Sequence, residues 1–544
     1  MNQKYCHHLK IWPLLFAVIL LTITIYSPSL RGPFVYDDLQ HIVGNEELHN
    51  LQDIKTVLFN GSRQIRILQN VSFAVNWAIS PNKTWSFKIT NLLLHLINGI
   101  LLFHLLKNIF PHRIFISVFS VLLFLIHPLQ VQSVAYIMGR ISLLQTFFFL
   151  LSLFLISRKE NERPLLIFGL LVISFIAKES CLLIPLILFI YEISIKGKNF
   201  TSLNWKNTII YFSSILLFIP IYLIFKDPTS MYLGTVGFDF YPFWEYTITQ
   251  MYYYLFYLFL FFNPSYQSII HPFPAAMSTT TMGLGILGGM AYFLSFIWAV
   301  RNLRKHPEIS FFSLFFFITL IPTNGPLQMI NPFAEYRLYQ SNISLVLFLA
   351  LAMEKLLLAI SYEKLKLMIA AVLIIISSIF TFQHNLLWRD SFLLYRYALV
   401  SYPNSSYLHI GVGFEYETQK RLDNAKEHYM RAIKLVESES YKTFMPVFHL
   451  ARVYYLMGKY DDAFKTLNQI PIHSLKYGNP AIEYYKLKLQ ILRNVDKTEK
   501  KEVFNKTLQE AVKVHGLEPF AYIAEMFSRK PRFEKSGIKS EQKN

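Results

Sequence analysis

Two adjacent carboxylates, Asp37 and Asp38, follow Tyr36 just beyond the first long apolar run of this 544-residue chain. A carboxylate at a membrane surface can take the proton of an acceptor hydroxyl as general base. Polar breaks in the apolar sequence supply cations: Arg66, Arg140 after Gly139, Lys178 beside Glu179, and Arg337 in Glu335-x-Arg337. Arg and Lys bind phosphate through charge-assisted hydrogen bonds and stabilise the charge that grows on a departing phosphate. His127, before Pro128, joins the candidates. A base, a cation cluster and a hydrophobic groove for a lipid chain together suit glycosyl transfer from a polyprenyl-phosphate sugar. No Gly-rich phosphate loop, metal-ligand spacing or nucleophile elbow stands out, so neither a metal nor another cofactor is expected.

Each candidate also has a plainer reading. Adjacent acids after an apolar run can be a solvated loop or a helix cap. Lys178-Glu179 and Glu335-x-Arg337 can be interfacial ion pairs with snorkelling stems. His127 before a proline can simply end a helix, and His95, near Asn91 and Asn98, reads as an interhelical hydrogen-bonding group. The aromatic run at 252–262 reads as packing against lipid rather than a platform for sugar.

The elements that must hold these residues are apolar. Hydrophobic residues make up 53 % of the chain, charged residues only 16 %, and mean hydropathy is +0.35; soluble globular domains carry about 25 % charged residues. Of the 86 charged residues, 41 fall in the last 144 positions, so a membrane-embedded part precedes a soluble tail. The net charge of +18 is spread through loops between apolar runs, which sets topology and argues against nucleic acid. Cys6 and Cys181 cannot form a disulfide framework.

Runs long enough to span are expected at 11–25, 91–110, 114–133, 141–157, 164–177, 179–194, 208–225, 282–300, 309–322, 340–360 and 366–382. The first lacks a small-x-small cleavage site and reads as an uncleaved anchor. Placing the basic loops Lys107–Arg113, Arg158–Arg163, Lys196–Lys206, Arg301–Lys305 and Lys364–Lys366 in the cytoplasm puts the candidate residues, with Lys226, Asp227 and Glu245, on the outer face. Thr247–Phe262 would invert everything after it if it spanned. It is therefore assigned to the outer interface or to a re-entrant half-helix, leaving eleven spans.

The tail carries a tetratricopeptide signature. Val412-Gly413-x-x-Tyr416 then Ala425-x-x-x-Tyr429, and Leu450-Ala451-x-x-Tyr454 then Ala463-x-x-x-Leu467, fit its Leu-Gly-x-x-Tyr and Ala-x-x-x-Phe pattern. The copies are offset by 38 residues, and their small residues allow paired helices to pack closely. A degenerate third pair is expected over 480–530, and the Lys-rich end reads as disordered.

FVYDDLQHIVGNEEL resembles the first-loop motif of the membrane O-mannosyltransferases that carry tetratricopeptide repeats. The resemblance continues through RILQNVSFAVNWAI, NLLLHLINGILLFHLL, LFLIHPLQVQSVAYIMGR and FIAKESCLLIPLILFIYE, and through IPTNGPLQMINPFAEYRLYQSNISLVLFLA, covering most of 30–360. It implies a GT-C glycosyltransferase fold, a lipid-phosphate sugar donor (commonly mannose), inverting transfer without metal, and Asp37 or Asp38 as base. Arg140, Lys178 and Arg337 become candidates for the donor phosphate. Gln132, Ser142 and Tyr336 depart from the family pattern, which often has Glu, an acid and His there.

The expectation is thus an all-α chain: a polytopic membrane bundle over 1–385, with its first external loop at 28–90, then an extracytoplasmic tetratricopeptide α-solenoid over 386–544. It is read as a bacterial cytoplasmic-membrane hexosyltransferase whose active site and repeats face the periplasm. Its partners are a polyprenyl-phosphate sugar, a protein or glycan acceptor, membrane lipid, and a protein bound through the repeats. The rivals are a transporter, which needs polar groups near mid-membrane, and a non-catalytic repeat scaffold, which needs fewer spans.

Overall fold

The computed structural model describes residues 3–51, 66–158, 163–225, 242–271, 278–325, 333–360, 362–438, 444–470, 479–494, 503 and 506–510. Among them every regular element is a helix. The chain forms two compact units that divide after Gly411, later than the expected residue 385. Helix Ser391–Ser401 belongs to the first unit because its aromatic residues bond there: Tyr397 donates to the Ser265 carbonyl at 2.9 Å, and the Tyr402 hydroxyl pairs with His271 Nδ1 at 3.0 Å.

In the first unit, seven described helical stretches are long and apolar enough to cross a membrane: Pro13–Arg31, Trp85–Ile109, Ile137–Ser157, Thr279–Arg301, Pro307–Asn324, Asn342–Ala359 and Lys364–Leu387. Ile114–Ile126 and Pro128–Ala135 make an eighth when joined, bent by 54° at His127. Pro128 has no N–H to continue the helix and disfavours helical backbone at the residue before it. The expected spans at 164–177 and 179–194 are short helices, Pro164–Phe175 and Ile184–Ser194, meeting at a turn that carries Lys178. Trp205–Phe225 covers the expected span at 208–225. Polar side chains cross-link the interior, as they do where lipid offers no alternative partner. His95 bonds the Tyr339 hydroxyl at 2.7 Å and the Leu125 carbonyl at 3.0 Å, while Asn98 donates to the Leu143 carbonyl at 3.0 Å.

Phe243–Phe262 is not a half-helix. It is unbroken over 20 residues, about 30 Å at 1.5 Å per residue. It runs parallel to Thr279–Arg301: Gly285 lies on the backbone of Ile248, Gly288 on that of Met251, and Tyr254 meets Tyr292 with ring centroids 5.3 Å apart. A Cβ at either glycine would strike a carbonyl oxygen; small residues permit such close helix pairs. Because the two helices are parallel and in register, the chain returns to its starting level between them. Residues 263–271 begin that return through a 3-10 turn at Pro264–Tyr266 and then irregular backbone, and Gln267, Ser268, Ile269, Ile270 and His271 are buried within protein. The segment 243–278 therefore leaves the direction of the later helices unchanged, despite its full-length helix.

The second unit contains the repeats. Leu422–Ser438 supplies a B helix, and Met445–Leu456 with Tyr460–Leu467 forms the next pair. Ala425, Ala451 and Ala463 are fully buried, and Gly413 lies against the Tyr429 ring, where a Cβ would sit 2.7 Å from Cε1. Turn residues Lys420 (φ +60°) and Gly458 (φ +75°) fall at the same 38-residue offset as the motifs. Asn479–Asn494 packs Tyr484, Leu487 and Ile491 into the core formed by Phe448, Ala451 and Leu467. Most of the expected partner helix and the Lys-rich end lie outside the described residues.

Candidate functional site

The first loop carries a strained residue at the point where it presents its acids. Tyr36 has φ +54°, a left-handed conformation unfavourable for a residue with a Cβ, and such strain persists where surrounding structure enforces it. The two following carboxylates consequently face different surroundings. Asp38 is fully buried; Oδ2 accepts from the Val35 N–H at 3.2 Å and Oδ1 from the Met138 N–H at 3.1 Å. Lys88 provides its countercharge while donating to the Ser29 carbonyl at 2.9 Å. Burial raises the Asp38 carboxyl to about 7, against these bonds and that charge.

Asp37 is only partly buried. It lies near the Tyr136 hydroxyl and within electrostatic reach of His41, Arg66 and Arg337. Burial lifts its carboxyl above the usual range, opposed first by His41, then by Tyr136 and the two guanidinium groups. Arg66 and Arg337 act in turn on Lys178. Burial holds that ammonium down to about 8 against the pull of Glu179, and the two arginines depress it further. Lys178 donates to Gln145 Oε1 at 2.7 Å, while Arg66 Nε and Arg337 Nη1 are buried without a partner. Thus one carboxylate and three cations converge, with two guanidinium N–H donors that have no partner among the described residues. Glu179 is exposed beside them.

The remaining candidates are bonded to other groups of the protein. Arg140 is completely buried: it donates to Asn91 Oδ1 at 2.8 Å, Ser72 Oγ at 2.8 Å and the Phe87 carbonyl at 2.7 Å, and its guanidinium lies 4.6 Å from the Phe73 ring centre. It joins the helix Ile67–Ile79 to the bundle. His127 accepts from the Leu129 N–H at 3.2 Å and stacks on Phe261, capping the bend. Glu335 accepts from Gln267 Nε2 (2.9 Å), the Ser268 N–H (2.7 Å) and His271 Nε2 (2.6 Å), fixing the return segment. Gln132 holds the same segment through the Ser268 and Ile269 carbonyls and accepts from the Tyr336 N–H at 2.8 Å. Lys226 and Asp227 lie outside the described residues, as do residues 52–65 of the first loop.

Against this geometry, known proteins give a consistent answer. The human Protein O-mannosyl-transferase TMTC3 is 22 % identical over 474 residues, covering 75 % of this chain and 50 % of that protein. Protein O-mannosyl-transferase F38B6.6 of Caenorhabditis elegans is 24 % identical over 444 residues, 77 % of this chain and 62 % of its own. Human Protein O-mannosyl-transferase TMTC2 is 31 % identical over 145 residues, 24 % of this chain and 17 % of its own. The chain is similar to the first two of these proteins over about three quarters of its length. It spans about half the length of the human TMTC3. No family model matches the chain, and no solved structure matches it.

The sequence alone did not single out Tyr136, Lys88, Gln145 or His271. Tyr136 stood inside a quoted motif, but nothing in its type or spacing indicated that its hydroxyl would lie near Asp37. Lys88 and Asp38 are 50 positions apart, and only the folded loop makes them partners.

Proposed function

We propose that this chain is a membrane hexosyltransferase of the O-mannosyltransferase type, with Asp37 as its general base and Arg66, Lys178 and Arg337 as its donor-phosphate site. The observation that carries the reading is the convergence of a partly buried carboxylate with three cations, two of which retain unpartnered buried donors. The acceptor oxygen attacks the anomeric carbon and its proton passes to Asp37. The bond between that carbon and the phosphate oxygen breaks, and the phosphate departs with the electron pair on its lipid. Attack opposite the leaving group inverts the anomeric centre. The phosphate gains charge in the transition state, so cations held in place beforehand stabilise it more than they stabilise the bound donor. The raised affinity of Asp37 for protons makes its ionised form a stronger base.

Asp38 is a positioning residue in this scheme. Its oxygens are committed to two backbone N–H groups, so it holds the loop to the 137–139 turn and leaves Asp37 exposed to substrate. Mannose as the sugar, a polyprenyl monophosphate as the carrier, and a bacterial cytoplasmic membrane with the site facing the periplasm complete the reading. They follow the family resemblance and the placement of basic loops. The second unit, as a helical repeat surface, fits the recruitment of acceptor. The test is transfer of labelled mannose from polyprenyl-phosphate mannose in membranes containing wild type, Asp37→Asn or Asp38→Asn. Loss of transfer in Asp37→Asn, with residual transfer in Asp38→Asn, supports the assignment; full activity in Asp37→Asn refutes it.

A further inference from the structure

The short turn that carries Arg337 is fastened on every side but one. Glu335–Leu338 is a single 3-10 turn, and at three residues per turn its consecutive side chains diverge by about 120°. Arg337 lies within electrostatic reach of Asp37 and Lys178, and its Nη1 is buried without a partner among the described residues. Its neighbours are tied down. The Tyr336 N–H donates to Gln132 Oε1 at 2.8 Å, and the Tyr336 carbonyl accepts from Ser133 Oγ at 3.3 Å. Phe333, two residues before Glu335, lies against the Tyr257 ring at 4.4 Å and the His271 ring at 4.6 Å, centre to centre.

Much of this fastening comes from the return segment. Instead of pairing with Arg337, the Glu335 carboxylate accepts from Gln267 Nε2 at 2.9 Å, the Ser268 N–H at 2.7 Å and His271 Nε2 at 2.6 Å. Both of its oxygens are thereby occupied. The Tyr402 hydroxyl holds His271 from behind, 3.0 Å from Nδ1, and Gln132 joins the same segment to Tyr336 by donating to the Ser268 and Ile269 carbonyls. Buried irregular backbone is tolerated in a membrane protein only where protein meets its polar groups. Here those groups are met by Glu335 and Gln132, the two side chains that flank the Arg337 turn. A return running over the surface would connect the same two helices without any of these bonds.

We infer that Glu335 is a positioning residue for Arg337, and that the buried return, through His271, holds it in place. The carboxylate fixes the direction in which the guanidinium is presented, so that the free N–H is aimed before the donor phosphate arrives. The inference rests on the transferase reading for the task of Arg337, but the fixing of that side chain can be measured without transfer.

A double-mutant cycle on the full chain in membranes tests the connection. Glu335→Gln keeps the shape but turns an amide donor towards groups that themselves donate. It should raise KM for polyprenyl-phosphate mannose roughly 5- to 20-fold, as for residues coupled in one network, and leave KM for the acceptor unchanged. In an Arg337→Met background the same substitution should change donor KM less than about twofold, because no guanidinium is left to aim. Tyr402→Phe removes only the hydroxyl behind His271 and should repeat the pattern at about two- to fourfold. Equal fold-changes in both backgrounds, or a rise in both KM values together with a lower Tm, would make Glu335 an ordinary fastening and overturn the inference.

Phenylglyoxal labelling of the purified full chain in detergent, followed at each arginine by mass spectrometry, supplies the reading that needs no transfer. Arg337 should label about twofold faster or more in Glu335→Gln, as when a local clamp opens. Arg113, paired with Glu354 elsewhere in the first unit, should be unchanged. That result, with no transfer from any polyprenyl-phosphate sugar, would retain the positioning and reject the transferase reading. Unchanged Arg337 labelling with normal donor KM in Glu335→Gln does the reverse.

Discussion

Charges are buried in both units of this protein, but they are completed in different ways. In the repeats, Glu417 receives Arg452 through two bonds, Nε to Oε1 at 2.6 Å and Nη2 to Oε2 at 3.0 Å, and accepts from the Tyr429 hydroxyl at 2.8 Å. His449 stacks on Tyr429 and pairs with Arg452 at 3.0 Å. Burial holds that imidazole near 3, so it stays neutral throughout the physiological range. Each carboxylate oxygen of Glu417 has a protein partner. In the first unit, by contrast, Arg66 Nε and Arg337 Nη1 are buried and unpaired, close enough to Asp37 and Lys178 to shift both. Buried polar groups are almost always satisfied. A complete network is a fastening between helices, whereas the incomplete one at the strained loop is what the proposed phosphate site would use.

The sharpest way to break this contrast is to remove one charge from each unit. Asp37→Asn should lower kcat by roughly 10²–10⁴, the range for general-base catalysis, with little change in thermal stability. Glu417→Gln should leave transfer to a small acceptor unchanged and destabilise the repeats by about 1–3 kcal/mol, less than a wholly buried pair because Arg452 is partly exposed. Limited proteolysis of the full chain would show the repeats cleaved earlier. A stable Asp37→Asn with normal kcat, or a catalytically dead Glu417→Gln, would erase the distinction.

A smaller effect is expected at the cations. Arg337→Met removes a charged donor worth roughly 1.5–3 kcal/mol, or about 10- to 100-fold in KM for the donor, and Arg337→Lys should recover only part because it lacks the fork. Asp38→Asn leaves one of its two N–H partners unmet. It should cost about 1–3 kcal/mol of stability and less than tenfold in rate per folded molecule.

Lys178 gives this region a pH signature. Its folded value is about 8, below the ordinary 10.5, so its charge is lost as pH rises through 8, and donor binding should weaken there. Between about 8 and 10.5 the unfolded chain binds that proton more tightly, so this group's contribution to stability rises with pH while activity falls. Lys178→Arg should retain charge and move the alkaline fall in kcat/KM upward. An unchanged profile would remove Lys178 from the phosphate site.

What the sequence could disclose follows from the range of each interaction. Long apolar helices are a local property, and those at 85–109, 279–301 and 364–387 stood out by hydropathy. The repeats were equally plain, because Gly413, Ala425, Ala451 and Ala463 recur at spacings dictated by close helix pairing. The parallel return after Phe262 was hidden, since it depends on Gly285 and Gly288 meeting residues 37 positions earlier. Asp37 and Asp38 are chemically identical neighbours; only tertiary burial gives one to the backbone and leaves the other partly exposed. Arg140 and Arg337 looked alike for the same reason, although one guanidinium is fully bonded and the other is not.

The mildest test concerns the repeats alone. Lys420 and Gly458 occupy the same turn in successive copies, both with positive φ. Glycine adopts this conformation without the Cβ clash that costs other residues about 1–2 kcal/mol, although its greater freedom in the unfolded chain offsets part of the gain. Lys420→Gly should therefore stabilise the second unit by about 0.5–1 kcal/mol, measured as slower proteolysis of the repeats, and leave transfer activity unaltered. The first unit offers the opposing case at Tyr36. Tyr36→Gly relieves similar strain but frees the loop that presents Asp37, so kcat should fall even where stability does not. Strain at Lys420 is then a tolerated local cost, whereas strain at Tyr36 holds a carboxylate in position. Equal effects of the two substitutions on transfer would show that Tyr36 has no such role.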